Sequence, residues 1–245
     1  MNQSSLLYRG MAIIAISVLF VSAGMIYEGM QYTDPNFAAK WYPYEISLAL
    51  ITVLLWYFLL KKDIPLNFSI NFNRTFFITL PIFLLTTGAF IWTLYTSETL
   101  DGTKMAMFLA TAISVGIAEE MIFRVAGYRV LVASGSSVKK AIFISALLFS
   151  LFHLTNLLSG MGMGLGMIFQ LINTFMIGVV FAYIYYKTES ILYLMLLHFM
   201  WDFSTFNLSA FLKPEQNPTI ILLLMGLIYF VWAITNVLKI KKESY

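Results

Sequence analysis

The sequence has no cysteine, few charged residues and only two histidines. Without Cys, disulfides, thiolate metal sites and cysteine nucleophiles are excluded. Charged residues make up 11% of the 245 residues and hydrophobic residues 60%, whereas soluble proteins average about 25% charged residues. This composition excludes a sizeable soluble domain and indicates an integral membrane protein in the lipid bilayer. We expect no nucleic-acid partner.

The apolar residues fall into eight runs, most of them near the length that spans a bilayer. The runs lack the alternation of a barrel strand, and in lipid only helices or closed barrels satisfy every backbone polar group. We therefore predict an all-α, polytopic membrane helix bundle of about eight transmembrane helices, forming a single integral membrane domain over residues 1–245. The runs are Met11 to Tyr27, Glu45 to Leu60, Thr75 to Tyr95, Met105 to Tyr128, Ala141 to Ser159, Met161 to Tyr186, Ser190 to Ser209 and Thr219 to Leu238.

The connections between the runs differ strongly in net charge between the two sides of the membrane. If the N-terminus lies inside, the inside segments have a net charge of +8 and the outside segments a net charge of −3. Lys and Arg accumulate on the cytoplasmic side of membrane proteins, so both termini are predicted to be cytoplasmic. The outside residues in this prediction are Lys40, Lys104, Lys213, Glu28, Asp34, Glu45, Glu98, Asp101 and Glu215; the inside ones are Arg9, Lys61, Lys62, Arg74, Arg129, Lys139, Lys140, Lys187, Lys239, Lys241, Lys242, Asp63, Glu189 and Glu243.

The N-terminal run has a second interpretation. Arg9, an apolar run and the small residues of Val21-Ser22-Ala23 also fit a cleaved signal peptide over residues 1–23. The rest of the topology is the same in both cases. The size of the chain, its lack of Cys and the absence of organelle signals favour a multi-pass protein of the bacterial plasma membrane.

Three of the runs contain acidic or basic residues away from their ends, and such residues are costly within a bilayer and therefore indicate function. From the helical rise, Glu119, His198 and His153 lie roughly 15, 16 and 20 Å from the cytoplasmic ends of their helices. Independent structural residues have no reason to share a depth, so we predict one buried polar site. The residues concerned are Glu119, Glu120 and Arg124 in the fourth run, His153 in the fifth, and His198 and Asp202 in the seventh.

The positions of the two glutamates relative to Arg124 predict different roles for them. Glu120 and Arg124 are four residues apart, so they can pair along one helix face and serve as scaffold. Glu119 lies on the adjacent face and remains the freer carboxylate, which suits a general base. The exchanged assignment, with Glu120 as the base, stays an alternative.

His198 and Asp202 repeat the four-residue spacing, so the carboxylate can accept from one ring nitrogen and orient the imidazole. Phe149 has the same spacing from His153 and is expected to pack beside its ring. Glu119, His153 and His198 together supply the ligand count of a hydrolytic zinc site. The same groups can also act without a metal, with Glu119 and His153 activating water. The residues leave both possibilities open.

Three motifs occur in order on separate apolar helices: EExxxR (Glu119, Glu120, Arg124), FxxxH (Phe149, His153) and HxxxD (His198, Asp202). With their surrounding sequences, EEMIFRVAGYRVL, SALLFSLFHL and KTESILYLMLLHFMWD, they resemble the CPBP family of intramembrane proteases. This family of CAAX proteases and bacteriocin-processing enzymes, also called Abi, includes the type II CAAX prenyl endopeptidases. The similarity covers about residues 105–205, which would form the catalytic core.

The resemblance implies a peptide-bond hydrolase in which Glu119 activates water with the aid of His153, and His198 and Asp202 complete the site. The family often has Asn at the position of Asp202. A carboxylate cannot donate to an oxyanion as an amide can, so we expect Asp202 to orient His198. Both metalloprotease and metal-free glutamate mechanisms are discussed for the family, and the chain has no HExxH zinc signature. Zn²⁺ thus stays an alternative and not an assigned cofactor.

The substrate is a membrane-associated peptide or protein by the same analogy. Maturation of bacteriocin or pheromone peptides, or self-immunity, is favoured over processing of prenylated C-terminal peptides. Two other classes remain as rival interpretations: a proton-coupled transporter, and a non-catalytic immunity or scaffold protein. No clear inverted repeat supports the transporter.

Overall fold

The computed structural model describes residues 3–29, 34, 36–70, 72–160, 162–213 and 219–240. This part of the chain forms helices and connections without a strand, which confirms the predicted all-α class. It contains eight helices that are long and apolar enough to cross a membrane, as predicted. The helices are α1 (Gln3–Glu28), α2 (Phe37–Leu59), α3 (Arg74–Thr96), α4 (Gly102–Ala133), α5 (Val138–Ser159), α6 (Leu165–Thr188), α7 (Ile191–Phe211) and α8 (Thr219–Leu238). Of the residues used in the predictions, Met161, Glu215, Lys241, Lys242 and Glu243 lie outside the described residues.

Helix α2 begins at Phe37, well before the predicted start at Glu45. Lys40 and Pro43 interrupt the apolar run, but Pro43 lies in the second turn, where it removes one intrahelical hydrogen bond without ending the helix. The assignment of Glu45 to an outer connection is therefore wrong. Its side chain belongs to the third turn of α2.

The three helices that contain the predicted site residues all begin at a side-chain N-cap. Such caps satisfy backbone N–H groups that have no partner within the helix, and they fix where each helix starts. The caps are Asp101 for α4, which accepts from the amides of Thr103 (2.9 Å) and Lys104 (3.1 Å), Ser137 for α5, which accepts from Lys140, and Ser190 for α7, which accepts from Tyr193. The starting points then set the depth of the polar residues along each helix.

Helix α4 changes its hydrogen-bonding pattern at the two glutamates. It is α-helical over Gly102–Glu119, π-helical over Glu120–Arg129 and α-helical again over Val130–Ala133. The predicted roles of Glu119, Glu120 and Arg124 assume one regular α-helix, so the π segment is a difference from the prediction. Residues 120–128 of this segment are all buried, and the surrounding helices therefore hold the unusual backbone in place. π-Helical turns occur frequently at functional sites.

Helix α5 also changes its geometry at a predicted site residue. It is α-helical over Val138–Phe152 and becomes a 3₁₀-helix over His153–Ser159, where the prediction was a single helix. Gly160 ends it with a positive φ of 81°, a backbone conformation that glycine adopts without a steric penalty.

Helix α4 is the central element of the bundle. It packs against α1, α2, α5 and α7. In its most apolar stretch of 18 residues 61% are buried, compared with 17% in the corresponding stretch of α2. Helix α3 packs on α7, and α6 packs on α5 and α8. This arrangement places the junction between the α and π segments of α4 in the middle of the protein.

Candidate active site

A cavity of about 570 Å³ lies beside the junction in α4. It brings together four predicted site residues from three helices: Glu119, His153, His198 and Asp202. Phe149 also lines it, whereas Glu120 and Arg124 do not. The two glutamates therefore face different surroundings, as their spacing predicts, and Glu119 is the one that faces the cavity.

Glu120 lies behind the cavity wall and contacts two partners. Its Oε1 is 2.7 Å from Nδ1 of His198, and its Oε2 is 3.2 Å from Nε of Arg124. The side chains of Glu120 and Arg124 have no exposed surface. Because both oxygens of Glu120 face protein partners, this carboxylate has no direct access to water in the cavity.

Arg124 is held mainly by charge and by aromatic rings. Its contact with Glu120 is not aligned as a hydrogen bond, and its guanidinium nitrogens have no hydrogen-bond acceptor among the described residues. The guanidinium carbon lies 4.8 Å from the ring centroid of Phe149 and 5.6 Å from that of Phe181. A desolvated cation over an aromatic face is stabilised by the ring quadrupole. Phe149 therefore contacts the buried cation as well as the neighbouring histidine.

His198 joins the buried pair to the cavity. A carboxylate only accepts, so the 2.7 Å contact with Glu120 requires that Nδ1 carries the proton. The opposite nitrogen, Nε2, lies 3.3 Å from Oε2 of Glu119 and 3.5 Å from Oδ2 of Asp202. The carboxylate that most closely orients His198 is therefore Glu120 of another helix, and Asp202 lies on the side of the cavity.

His153 is oriented by its own helix. Its Nδ1 lies 2.9 Å from the carbonyl oxygen of Phe149, and because a carbonyl only accepts, Nδ1 must donate. In the neutral ring, Nε2 is then left as the acceptor. The ring of Phe149 packs edge-on against the imidazole at 5.1 Å between centroids, which is the neighbouring position that the spacing predicts.

Two glycines permit the helices to approach closely around the site. A Cβ added to Gly116 of α4 would lie 3.0 Å from the carbonyl oxygen of Met195 and 3.3 Å from the amide of Phe199 in α7. A Cβ added to Gly178 of α6 would lie 2.9 Å from Cα of Ala146 in α5. The contact between Glu120 and His198 therefore depends on Gly116, which lies one turn before Glu120 and allows α4 to approach α7.

Glu45 also lines the cavity, and the sequence analysis missed it. Its Oε1 accepts a hydrogen bond from Nε1 of Trp41 at 2.8 Å. The signal that could have identified Glu45 is its position as an acidic residue at the edge of an otherwise apolar run. Glu45 adds another carboxylate to the wall that contains Glu119 and Asp202.

The residues do not form a ready metal site. The described part of the chain has no group of three or more His, Cys, Asp or Glu side chains arranged to hold one metal ion. The two imidazoles do have the Nδ1–H contacts that accompany metal-binding histidines, but His153 makes no close contact with Glu119 or His198 among those described. The proposed ligand set of Glu119, His153 and His198 thus does not fit a metal in this arrangement, and we derive no step through one.

Residues 101–204 match the family model described as type II CAAX prenyl endopeptidase Rce1-like. The match confirms the family resemblance that the three motifs predict, and it contains all seven of their residues. It covers less than half of the chain and leaves out α1–α3 and α8. No curated protein and no solved structure gives a significant match to this chain. The eight apolar helices indicate a multi-pass membrane protein, and the match makes residues 101–204 similar to a CAAX-type endopeptidase.

Proposed function

We propose that this protein is an intramembrane endopeptidase in which Glu119 is the general base that activates water. The proposal rests on the match of residues 101–204 to a protease family and, within the site, on one observation. Glu119 is the glutamate of the EE pair that lines the cavity, with 12% of its side chain exposed, while Glu120 has none. A general base must reach the water that it deprotonates, so the geometry favours Glu119 over Glu120.

The reaction then follows from the groups around the cavity. Glu119 accepts a proton from water as the water oxygen attacks the carbonyl carbon of the peptide bond. Nε2 of His153 accepts a hydrogen bond from the same water. His198 carries a proton on each ring nitrogen in this proposal, so Nδ1 donates to Glu120 while Nε2 donates to the developing oxyanion. Glu119 finally gives its proton to the amide nitrogen while the C–N bond breaks, so the products are one carboxylic acid and one amine.

The other residues have supporting roles in this proposal. Glu120 accepts from Nδ1 of His198 and fixes the orientation of the ring, and Arg124 offsets the negative charge of Glu120 behind the cavity wall. Asp202 orients His198 from the cavity side, where its oxygen lies 3.5 Å from Nε2. Phe149 packs against His153 and covers the guanidinium of Arg124.

We further propose that the substrates are membrane-associated peptides, and that the process is maturation of a bacteriocin or pheromone peptide or self-immunity in a bacterial plasma membrane. This choice follows the family analogy stated above. Processing of prenylated C-terminal peptides, the activity in the name of the matched family model, is the alternative substrate class.

The proposal is tested with Glu119→Gln, which keeps the shape of the side chain and removes its basicity. Loss of a general base should lower turnover by about 10²–10⁴-fold. Glu98→Gln is the matched control, because Glu98 has 76% of its side chain exposed and does not line the cavity. Both variants are first compared with wild type for their level in the membrane. Mass spectrometry then compares the membrane and secreted peptides of the three strains.

Hydrolysis is distinguished from transport by the products. In water enriched in ¹⁸O, each new C-terminal carboxylate made by the enzyme should contain one ¹⁸O atom. Peptide termini that appear with wild type and Glu98→Gln but not with Glu119→Gln support the protease. Identical termini in all three strains would contradict it.

A further inference from the structure

In the part of the chain that the structure describes, the cavity extends from the site toward one end of the bundle only. Every residue that lines it lies near the middle of its helix or between the middle and that end. The lining residues lie at the middle or in the second half of α1, α5 and α7, and at the middle or in the first half of α2, α4 and α6, and these halves neighbour one another in an antiparallel bundle.

The path from the site to this end is long enough for an extended peptide segment. Ser209 lines the cavity eleven residues beyond His198 on α7, which corresponds to about 16 Å of helix. Phe37 lines it eight residues before Glu45 on α2, or about 12 Å. Asp34, in the connection between α1 and α2, also lines it. The cavity therefore reaches a connection outside the membrane spans.

The opposite half of the bundle is closed behind the site. Phe123, Tyr128, Phe181 and Tyr185 are all at most 5% exposed, and the buried Arg124 lies among them. Among the described residues, these packed aromatic side chains lie between the site and the other end of the bundle. The site is thus a pocket with one direction of access.

The two ends of the bundle differ strongly in charge. Among the described residues, nine Lys and Arg lie at or near the closed end and three at the end where the cavity reaches a connection. The closed-end residues are Arg9, Lys61, Lys62, Arg74, Arg129, Lys139, Lys140, Lys187 and Lys239, and the open-end residues are Lys40, Lys104 and Lys213. Because basic residues remain in the cytoplasm during insertion, the closed end is cytoplasmic.

We infer that the substrate reaches Glu119 from the non-cytoplasmic side of the membrane. The inference rests on the proposed function and narrows its substrate class. The substrate is a polypeptide segment on the outer side, either exported or anchored in the outer half of the bilayer. A prenylated C-terminal tail in the cytoplasm would meet the closed, basic end instead.

The charge of the cavity wall agrees with this substrate class. The lining contains four carboxylates, Asp34, Glu45, Glu119 and Asp202, and no Lys or Arg among its described residues. Lys40 donates to Asp34 at 2.7 Å and holds the pKa of Asp34 below its usual range, so this residue at the mouth stays ionised. Such a wall repels a free C-terminal carboxylate and accommodates an internal segment that is neutral or cationic.

Asn173 offers a hydrogen bond along the same path. It lines the cavity between the site and the mouth, and its buried Oδ1 has no hydrogen-bond partner among the described residues. A backbone amide of an extended peptide would satisfy this acceptor, because a buried polar atom without a partner is costly.

The side of access can be measured directly because the chain has no natural Cys. Ser209→Cys places a single thiol at the exposed mouth of the cavity, and Lys62→Cys places one at the exposed closed end. Intact cells, with any outer envelope removed, are treated with a charged maleimide that does not cross membranes. We expect labelling of Ser209→Cys in intact cells and of Lys62→Cys only after lysis. The reverse pattern would overturn the inference.

A second measurement examines the substrate and separates the two proposals. Peptide termini that require Glu119 should map to exported peptides or to the outer flanks of membrane anchors. Termini that map to cytoplasmic flanks would overturn the inference while leaving the protease intact. If no terminus requires Glu119, the proposed function fails, and the labelling pattern still decides which side the cavity faces.

Discussion

The buried pair of Glu120 and Arg124 provides the sharpest test of the site's architecture. Neither side chain has exposed surface, and Nε lies 3.2 Å from Oε2. Removing one partner of a buried ion pair leaves the other charge uncompensated, which costs about 3–5 kcal/mol. We expect Glu120→Gln and Arg124→Met each to lower the free energy of unfolding by about this amount.

The double variant Glu120→Gln/Arg124→Met should be less destabilised than either single variant. It removes both charges, and replacement of a whole buried pair by neutral side chains of similar volume is often close to neutral. Its Gln can still accept from Nδ1 of His198 through the amide oxygen. The stability loss is therefore expected to be strongly non-additive, as it is for residues in direct contact.

The measurement is denaturant unfolding of the purified protein in detergent micelles at one pH, for the wild type, both single variants and the double variant. Glu98→Gln again serves as the control, because its partner Lys213 is 3.9 Å away and both side chains are mostly exposed. Exposed pairs of this kind contribute little, so no measurable change is expected for the control. If the double variant lost as much stability as the two single variants combined, the electrostatic account of this pair would be refuted.

Two further predictions concern the helix contacts at the site. Gly116→Ala should lower stability by about 1–3 kcal/mol in the same unfolding assay, because its Cβ would press on the backbone of α7 at 3.0 Å, whereas Gly88→Ala, with nothing within 4 Å, should not. An equal response of the two glycines would contradict the close approach of α4 and α7. Asp202→Ala should reduce peptide processing by about 10–100-fold through misorientation of His198, while Asp202→Asn, whose oxygen can still accept, should lose less. Equal losses in the two Asp202 variants would argue against an orienting role.

The sequence predicts the features that depend on composition and on spacing within one helix. Eight apolar runs are enough to identify eight membrane helices, because lipid restricts the backbone to a few solutions. The contact between Glu120 and Arg124 and the packing of Phe149 on His153 both follow from a separation of four residues. In each case the two residues belong to one helix, so no knowledge of packing is needed.

Contacts between helices were not predictable in the same way. Asp202 is the only carboxylate within one turn of His198, so spacing assigns it as the orienting group. In the structure Glu120 of α4 lies closer, at 2.7 Å, because Gly116 lets α4 approach α7. The change from α to π geometry at Glu120 likewise has no signal in the hydropathy of the run, since it depends on packing around nine buried residues.

Glu45 illustrates a different limit. Lys40 and Pro43 lower the apolar character of the first turns of α2, so a hydropathy argument starts the helix too late and leaves the glutamate outside. Position along the chain could still have identified it, because Glu45 is the last charged residue before a long apolar run. Its place in the cavity becomes clear only when α2 is packed beside α4.

The site combines two halves with different physical requirements. Behind Glu119, the contacts from Arg124 through Glu120 to His198 are buried and bounded by aromatic rings, so the charges are fixed in position. In front of Glu119, the wall is polar and acidic and leads to one end of the bundle. A hydrolase within a membrane needs both, because preorganised charges are strongest without water while the reaction itself consumes water. The boundary between the halves passes between Glu119 and Glu120, so neighbouring glutamates can serve opposite environments although they differ by a single position in the sequence.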